Sequence, residues 1–334
     1  MQHRADWFRD AKWGVFFHYL ASPASSTNAP EMTADAWDRR IDGFDVDALA
    51  DQLAEIKAGY FFITLGQNSG YYLSPNNTYD RIVDRKPSRL SRRDLVGDIA
   101  AALTKKNIRT MVYFTALGPA MDVAALEKLK CTPPWKPVCA LASSKYTVQP
   151  GVDDRLTEFQ HNWEAIIREW SMRWGGNVHG WWIDGGYYAD TLYRSPAAPN
   201  FESFADAMRA GNKGSIVAFN PGVKIPVIKH AANEDYTAGE AANGLPVSVN
   251  TGTPSSWGPT LSRFVDGAQY HLLTFLGEYW GRGDVRFSDD MLIAYTKYVN
   301  SFDGVITWDV PPLLDGRIPD AFMRSLNALR KATR

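Results

Sequence analysis

Short, nearly unbroken apolar runs alternate along this chain with longer stretches whose apolar residues recur every three or four positions. Trp13 to Tyr19, Tyr60 to Leu65, Thr110 to Phe114, Val178 to Ile183, Ile216 to Asn220, Tyr270 to Leu276 and Val305 to Val310 are runs of the first kind. They are rich in aromatic and β-branched residues and too short for helices, so they predict buried strands. Between them the spacing is helical. Asp45 caps a helix with Val46, Leu49, Leu53 and Ile56 on one side, closed by Gly59. A second helix, from about Arg93 to Lys106, turns Leu95, Val96, Ile99 and Leu103 inward. The clearest stripe is Leu156, Phe159, Trp163, Ile166, Ile167, Trp170 and Trp174, which reads as core and ends at Gly175-Gly176. Further helices are expected around Phe204 to Met208, from Ser288 to Asn300, and after Pro319 with Phe322, Leu326 and Leu329 inward.

Helix then strand, repeated, is the signature of βα units and a parallel sheet. No linker, low-complexity tract or internal repeat divides the series. The expected architecture is a single irregular (β/α)8-like TIM barrel over residues 1–334, with loop insertions and some helices replaced by loops. The segment after the third strand, to about residue 150, reads as an insertion on the rim. The basic loop with Arg81, Arg85 and Arg89 reads as a solvated face. Residues 234–240 read as a polar loop holding several carboxylates.

Composition narrows the function. With 45% hydrophobic and 22% charged residues, the chain is of ordinary globular character. Its 36 basic and 37 acidic residues leave a net charge of −1, which offers no field for gathering nucleic acid. No apolar segment approaches membrane-spanning length. The N-terminus carries no export signal, so an exported protein is expected only if a leader has been removed; otherwise the cytoplasm is expected. Histidines are scattered and no Cys/His cluster has zinc-ligand spacing, so neither metal nor cofactor is expected. Cys131 and Cys139 bracket a proline-stiffened loop; a disulfide and two free thiols are both compatible with that spacing. Aromatic residues are abundant, with 12 Trp, 15 Tyr and 16 Phe. A surplus of Trp beside strand-end polar groups suits a pocket that stacks on sugar rings.

The candidate chemistry gathers at strand ends. Asp184 ends the Val178–Ile183 run and precedes two glycines, where a barrel strand opens onto the active-site face. An aspartate there can simply cap the turn; Trp181, Trp182, Tyr187 and Tyr188 around it instead favour a desolvated, working carboxylate. His18 and Tyr113 stand near the ends of the first and third strands. Gln67 and Asn68 open the loop after the second, and Glu278 and Trp280 follow the Tyr270–Leu276 run. Without a phosphate loop or a nucleophile-elbow serine, two carboxylates point to glycoside hydrolysis, with Asp184 as nucleophile. Glu240 is the first choice for acid/base, Glu278 the second and Glu234 the third.

Several of these motifs together resemble the α-L-fucosidases of glycoside hydrolase family 29. Ala11-Lys12-Trp13-Gly14-Val15-Phe16-Phe17-His18-Tyr19 resembles that family's opening strand, which implies that His18 touches the sugar. Trp37 is similar to a pocket tryptophan. Trp181-Trp182-Ile183-Asp184-Gly185 resembles the nucleophile strand, and Asp235-Tyr236-Thr237-Ala238-Gly239-Glu240 the segment whose glutamate serves as acid/base. Gly304 to Pro311 and Asp315-Gly316-Arg317-Ile318-Pro319 resemble the closing strand and turn. The family's paired histidines after the second strand are replaced by Gln67-Asn68, which implies a different hydroxyl pattern. Its later arginine gives way to Asn220-Pro221-Gly222, and no C-terminal β-sandwich is expected here. The resemblance implies a retaining exo-glycosidase acting on a fucose-like or arabinose-like linkage, with an oligosaccharide or glycoside as partner and oligomerisation open. A catalytically silent sugar-binding protein, or a transglycosylase or lyase on the same scaffold, are the alternatives.

Overall fold

The computed structural model describes residues 3–26, 31–131, 153, 155–247 and 262–333. Seven parallel strands form one curled sheet: β1 (Trp13–Phe17), β2 (Tyr60–Thr64), β3 (Arg109–Thr115), β4 (Val178–Asp184), β5 (Ile216–Phe219), β8 (His271–Phe275) and β9 (Val305–Asp309). Their order is β5-β4-β3-β2-β1-β9-β8, and a small antiparallel hairpin of β6 (Phe264–Val265) and β7 (Ala268–Gln269) stands apart. All seven expected strands are present, and the architecture is a TIM-like α/β barrel.

Residues 235–241 occupy the gap between β5 and β8. The Thr237 N–H donates to the Gln269 carbonyl (3.0 Å), Leu273 N–H to Gly239 (2.9 Å) and Ala241 N–H to Leu273 (2.9 Å). On the other side Asp235 N–H bonds the Val217 carbonyl (3.0 Å), and Val217 N–H returns to the Asp235 carboxylate (2.9 Å). This stretch stands in for an eighth strand and closes the curl. The expected polar loop at 234–240 is therefore corrected: the Glu234 and Asp235 carboxylates are consumed by backbone N–H groups and by Arg4 and Arg209, which lets Glu234 to Gly239 be buried. Gly239 makes the close approach possible. It sits at φ +62°, and a Cβ there would lie 1.8 Å from the His271 carbonyl oxygen.

The two-residue period of the strands sorts their side chains into two cores. Val15, Phe17, Phe61, Ile63, Val112, Phe114, Trp181 and Ile183 pack outward against the helices. Phe16, Phe62, Met111, Tyr113, Trp182, Ala218, Tyr236 and Ala238 fill the barrel interior. The next inward position along each strand, at its C-terminal end, is where the polar residues appear.

The helices support this arrangement. In α3 (Val46–Glu55) and α5 (Leu95–Lys105) the caps are Asp45 and Asp94, each accepting a backbone N–H at 2.9 Å. α7 (Thr157–Trp174) carries the tryptophan stripe inward, and its indoles also anchor it: Trp163 Nε1 donates to the Thr115 carbonyl (2.8 Å) and Trp170 Nε1 to Pro75 (3.0 Å). α9 (Phe201–Met208), α10 (Asp289–Asn300) and α11 (Asp320–Thr333) match the remaining expected helices. α1 (Asp6–Ala11), α2 (Ala34–Asp42), α4 (Asn77–Val83), α6 (Val123–Leu129) and α8 (Gly186–Tyr193) were not legible as helices, being short or lacking a clean stripe.

The basic loop also needs correction. Arg81 is exposed, but Arg85 and Arg89 both bond the buried carboxylate of Asp122, which caps α6. Arg89 further donates to the Ser69 carbonyl (3.1 Å), so this loop clamps the exits of β2 and β3 together. Cys131 is buried with its thiol toward the Leu117 carbonyl, and burial pushes that thiol up; Cys139 lies outside the described residues. No helix among the described residues is long and apolar enough to cross a membrane.

Candidate active site

Extending each inward row by one step places His18 after β1, Tyr113 on β3, Asp184 at the end of β4, Asn220 after β5, Glu240 on the closing segment and Asp309 at the end of β9. They share the C-terminal face, where barrel active sites lie. A cleft there is lined by Phe16, His18, Ser25, Gln67, Tyr113, Trp182, Asp184, Glu240, Leu273 and Trp280. Tyr113 stacks on Trp182 at 5.3 Å, and Trp182 is pinned from behind by its Nε1 donating to the Ala238 carbonyl (3.0 Å).

Three donors converge on the Asp184 carboxylate. Tyr113 Oη donates to Oδ2 (2.5 Å), while the Gly185 N–H (2.8 Å) and Asn220 Nδ2 (2.9 Å) donate to Oδ1. Gly185 stands at φ 82°, which turns the chain into α8 immediately after the aspartate and aims that N–H back at it. Tyr113 is itself held by Gln67, whose Nε2 donates to the phenol oxygen at 2.7 Å. The Asn220 nitrogen reaches a second carboxylate, Glu240 Oε2, at 2.7 Å. Burial, and next the negative charge of Asp184, push the Glu240 carboxyl up to about 7, against the lowering effects of the Asn220 bond and of His18.

Opposite stands a second polar pair. His18 Nδ1 bonds Asp309 Oδ1 at 2.9 Å, and the Gly281 N–H holds Asp309 Oδ2 at 2.6 Å. With Nδ1 committed, Nε2 is the ring nitrogen left to face the cleft. Asp309 is fully buried, and His18 and the Gly281 N–H together give each of its oxygens a hydrogen-bond partner.

Of the residues singled out in the sequence, Asp184, Glu240, His18, Gln67, Tyr113, Trp182 and Trp280 come together in this cleft. Trp37, Asn68 and Glu278 are not among its lining. Trp37 is 1% exposed and packs beneath the β1 exit, its Nε1 donating to the Tyr72 carbonyl (3.0 Å). Asn68 accepts the Met121 N–H at its backbone carbonyl (2.8 Å). Glu278 is exposed: the tight turn pairing Tyr279 with Arg282 brings Trp280 and Gly281 inward and leaves Glu278 outside. Glu234 is buried but serves the backbone, accepting from the N–H groups of Phe219 (2.6 Å), Ala231 (3.0 Å) and His230. Burial pushes its carboxyl up to about 8 despite those bonds. Glu234→Ala would strand three backbone donors, two of them buried, and is expected to cost roughly 3 kcal/mol of stability, measured by thermal or urea unfolding. An unchanged midpoint would contradict this structural role. Asp309 was not singled out by sequence, and Asn220 only as standing where the resembled family has an arginine. Counting on by two from Ala218, and from Val305 through Thr307, is the signal that finds them.

A further cavity of about 330 Å³ adjoins the cleft and shares His18 and Trp280 with it; Arg40, Arg282, Pro312 and Leu314 are among its other walls. Among the described residues, no group of three His, Cys, Asp or Glu side chains is arranged to hold a metal ion.

No family model matches the chain, and no curated protein matches it by sequence. Solved structures do share its fold. The endo-fucoidan hydrolase MfFcnA4 from glycoside hydrolase family 107 aligns at 18% identity and TM-score 0.68, over 98% of this chain and 53% of that one. The α-L-fucosidase AlfC from Lactobacillus casei, in complex with α-L-fucose product, aligns at 13% identity and TM-score 0.65, over 98% of this chain and 97% of that one. A bacterial fucosidase with a monovalent iminocyclitol inhibitor aligns at 18% identity and TM-score 0.63, over 99% and 74%. The chain thus spans about half the length of MfFcnA4. At these identities the likeness establishes a barrel fold shared with these glycoside hydrolases, and does not single out family 29.

Proposed function

We propose that this chain is a retaining, exo-acting glycoside hydrolase for a fucose-like or arabinose-like linkage, with Asp184 as nucleophile and Glu240 as acid/base. One observation carries the reading: Asp184 and Glu240 share a single amide nitrogen, at 2.9 and 2.7 Å, in an aromatic-walled cleft. Even laid end to end, those two bonds bring the carboxylate oxygens near the ~5–5.5 Å separation of retaining enzymes, and short of the ~6.5–9.5 Å of inverting ones. The fold shared with fucose-active hydrolases supports the sugar class.

The chemistry then divides between the two acids. Glu240 gives its proton to the glycosidic oxygen as that oxygen leaves C1, and Asp184 Oδ attacks C1 from the opposite face to form an ester. Glu240, now a carboxylate, takes a proton from water; the water oxygen bonds C1 and the Asp184 ester bond breaks. Net retention at C1 results. His18 Nε2, oriented through Asp309, and Trp280 are suited to grip the ring.

Two measurements test the reading. A panel of aryl glycosides, including α-L-fucoside, α-L-galactoside and arabinosides, should contain at least one substrate; no turnover across the panel and its oligosaccharide counterparts would remove it. The pH profile should be diagnostic as well. Glu240 must be protonated to act, so kcat/KM should decline above pH about 7, approaching tenfold per pH unit. A profile flat from pH 6 to 9 would contradict a protonated Glu240. A second reading, glycosyl transfer, is favoured by the adjoining cavity, which offers room for an acceptor sugar beside His18 and Trp280. Product analysis with an added acceptor separates transfer from hydrolysis.

A further inference from the structure

Asn220 follows β5 and is fully buried, yet it bonds no substrate-facing group other than the two carboxylates. Its own orientation is determined on three sides. The backbone N–H bonds the Ile183 carbonyl (2.7 Å), which ties it to the strand of Asp184. Pro221 restricts the preceding backbone, and the Gly222 N–H donates to Asn220 Oδ1 at 3.0 Å. Flipping the amide would set its NH2 against the Gly222 N–H and its oxygen against the Asp184 carboxylate, so the nitrogen must face the acids. The two acids are not equally supplied. Asp184 has the Tyr113 hydroxyl and the Gly185 N–H besides Asn220, whereas among the described residues Asn220 is the one donor to the Glu240 carboxylate.

Resting on the function proposed above, we infer that Asn220 is a positioning residue for the reaction: its amide NH2, giving one N–H to each acid, holds Asp184 and Glu240 at working separation without adding charge, and limits how tightly Glu240 keeps its proton. A cation in this position would neutralise both acids and strip Glu240 of its proton at lower pH. An apolar residue would leave the two acids without a shared donor, facing one another as like charges once Glu240 has given up its proton. A neutral amide satisfies both oxygens and leaves Glu240 able to lose and regain a proton across the catalytic cycle. The titratable groups lining the cleft around Glu240 are Asp184 from β4, His18 from the exit of β1 and Tyr113 from β3, with Asp309 of β9 acting through His18. Of these, Asp184 raises and His18 lowers the Glu240 carboxyl, so an altered Asn220 acts on a balance already poised near neutrality.

The test compares wild type with Asn220→Ala and Asn220→Gln. In Asn220→Ala the alkaline limb of kcat/KM should move up by about one pH unit, the scale of one hydrogen bond to a charged acceptor. At the same time kcat should fall about 10²-fold as the acids splay. Asn220→Gln, which keeps the amide on a longer arm, should recover part of kcat. A loss of kcat with the limb unmoved would mean a merely structural residue and overturn the inference. Carboxyl 13C titration of glutamate-labelled protein, with Glu240→Gln identifying the resonance, reads the same shift without turnover. A Glu240 titration identical in wild type and Asn220→Ala would overturn the inference as well. If the titration shifts yet wild type hydrolyses no glycoside, the proposed function fails while the Asn220–Glu240 coupling stands.

Discussion

Asp184→Ala is expected to reduce kcat on the order of 10⁴-fold or more on every substrate of the wild-type protein, the scale of losing a catalytic nucleophile. The reason is positional. Asp184 is the last inward residue of β4, one step beyond Trp182, and three donors hold its two oxygens in fixed directions. No neighbouring carboxylate can replace it, because Glu240 lies across the shared Asn220 nitrogen and approaches from the other side. Added azide should partly restore turnover by entering the space vacated, and should yield a glycosyl azide of inverted configuration. Steady-state kinetics with and without azide checks this, and Asp184→Asn controls for lost packing. Wild-type rates in either variant would remove Asp184 from the mechanism.

Glu240→Ala should behave differently, and the difference identifies the acid. For substrates with poor leaving groups kcat/KM should fall about 10²–10⁴-fold, the usual worth of general acid catalysis. For aryl glycosides whose phenol leaves readily, cleavage of the glycosidic bond needs little protonation and should be nearly spared. Breakdown of the intermediate still requires a base, so a burst followed by slow turnover is expected under rapid mixing. The alkaline limb attributed to Glu240 should also disappear. Equal losses for good and poor leaving groups would place the acid elsewhere.

The sequence exposed the frame of this molecule because fully buried parallel strands are written as unbroken apolar runs and their helices as stripes. Trp13–Phe17, Val178–Asp184 and the tryptophan stripe of α7 are legible for that reason. The closing segment was not: Glu234 and Asp235 look solvated in sequence, and only tertiary structure reveals the backbone amides and arginines that pair them. Arg85 and Arg89 misled in the same way, their partner Asp122 being remote in the chain. Within the site, residues on strands were easier than residues on loops. His18, Tyr113 and Asp184 follow from the period of two, and Asn220 and Asp309 obey the same count. Trp37, on the short α2, and Glu278, in the loop after β8, are placed by tertiary packing that no strand period encodes, which takes one into the core and the other to solvent.

The covalent step is tested most directly by trapping. Wild-type protein treated with the 2-deoxy-2-fluoro fluoride of the sugar it turns over should gain the mass of one fluoroglycosyl group, and peptide mapping should locate that group on Asp184. Attachment to any other side chain, or rapid turnover of the parent glycoside with inversion at C1 and no trapped ester, would contradict the account.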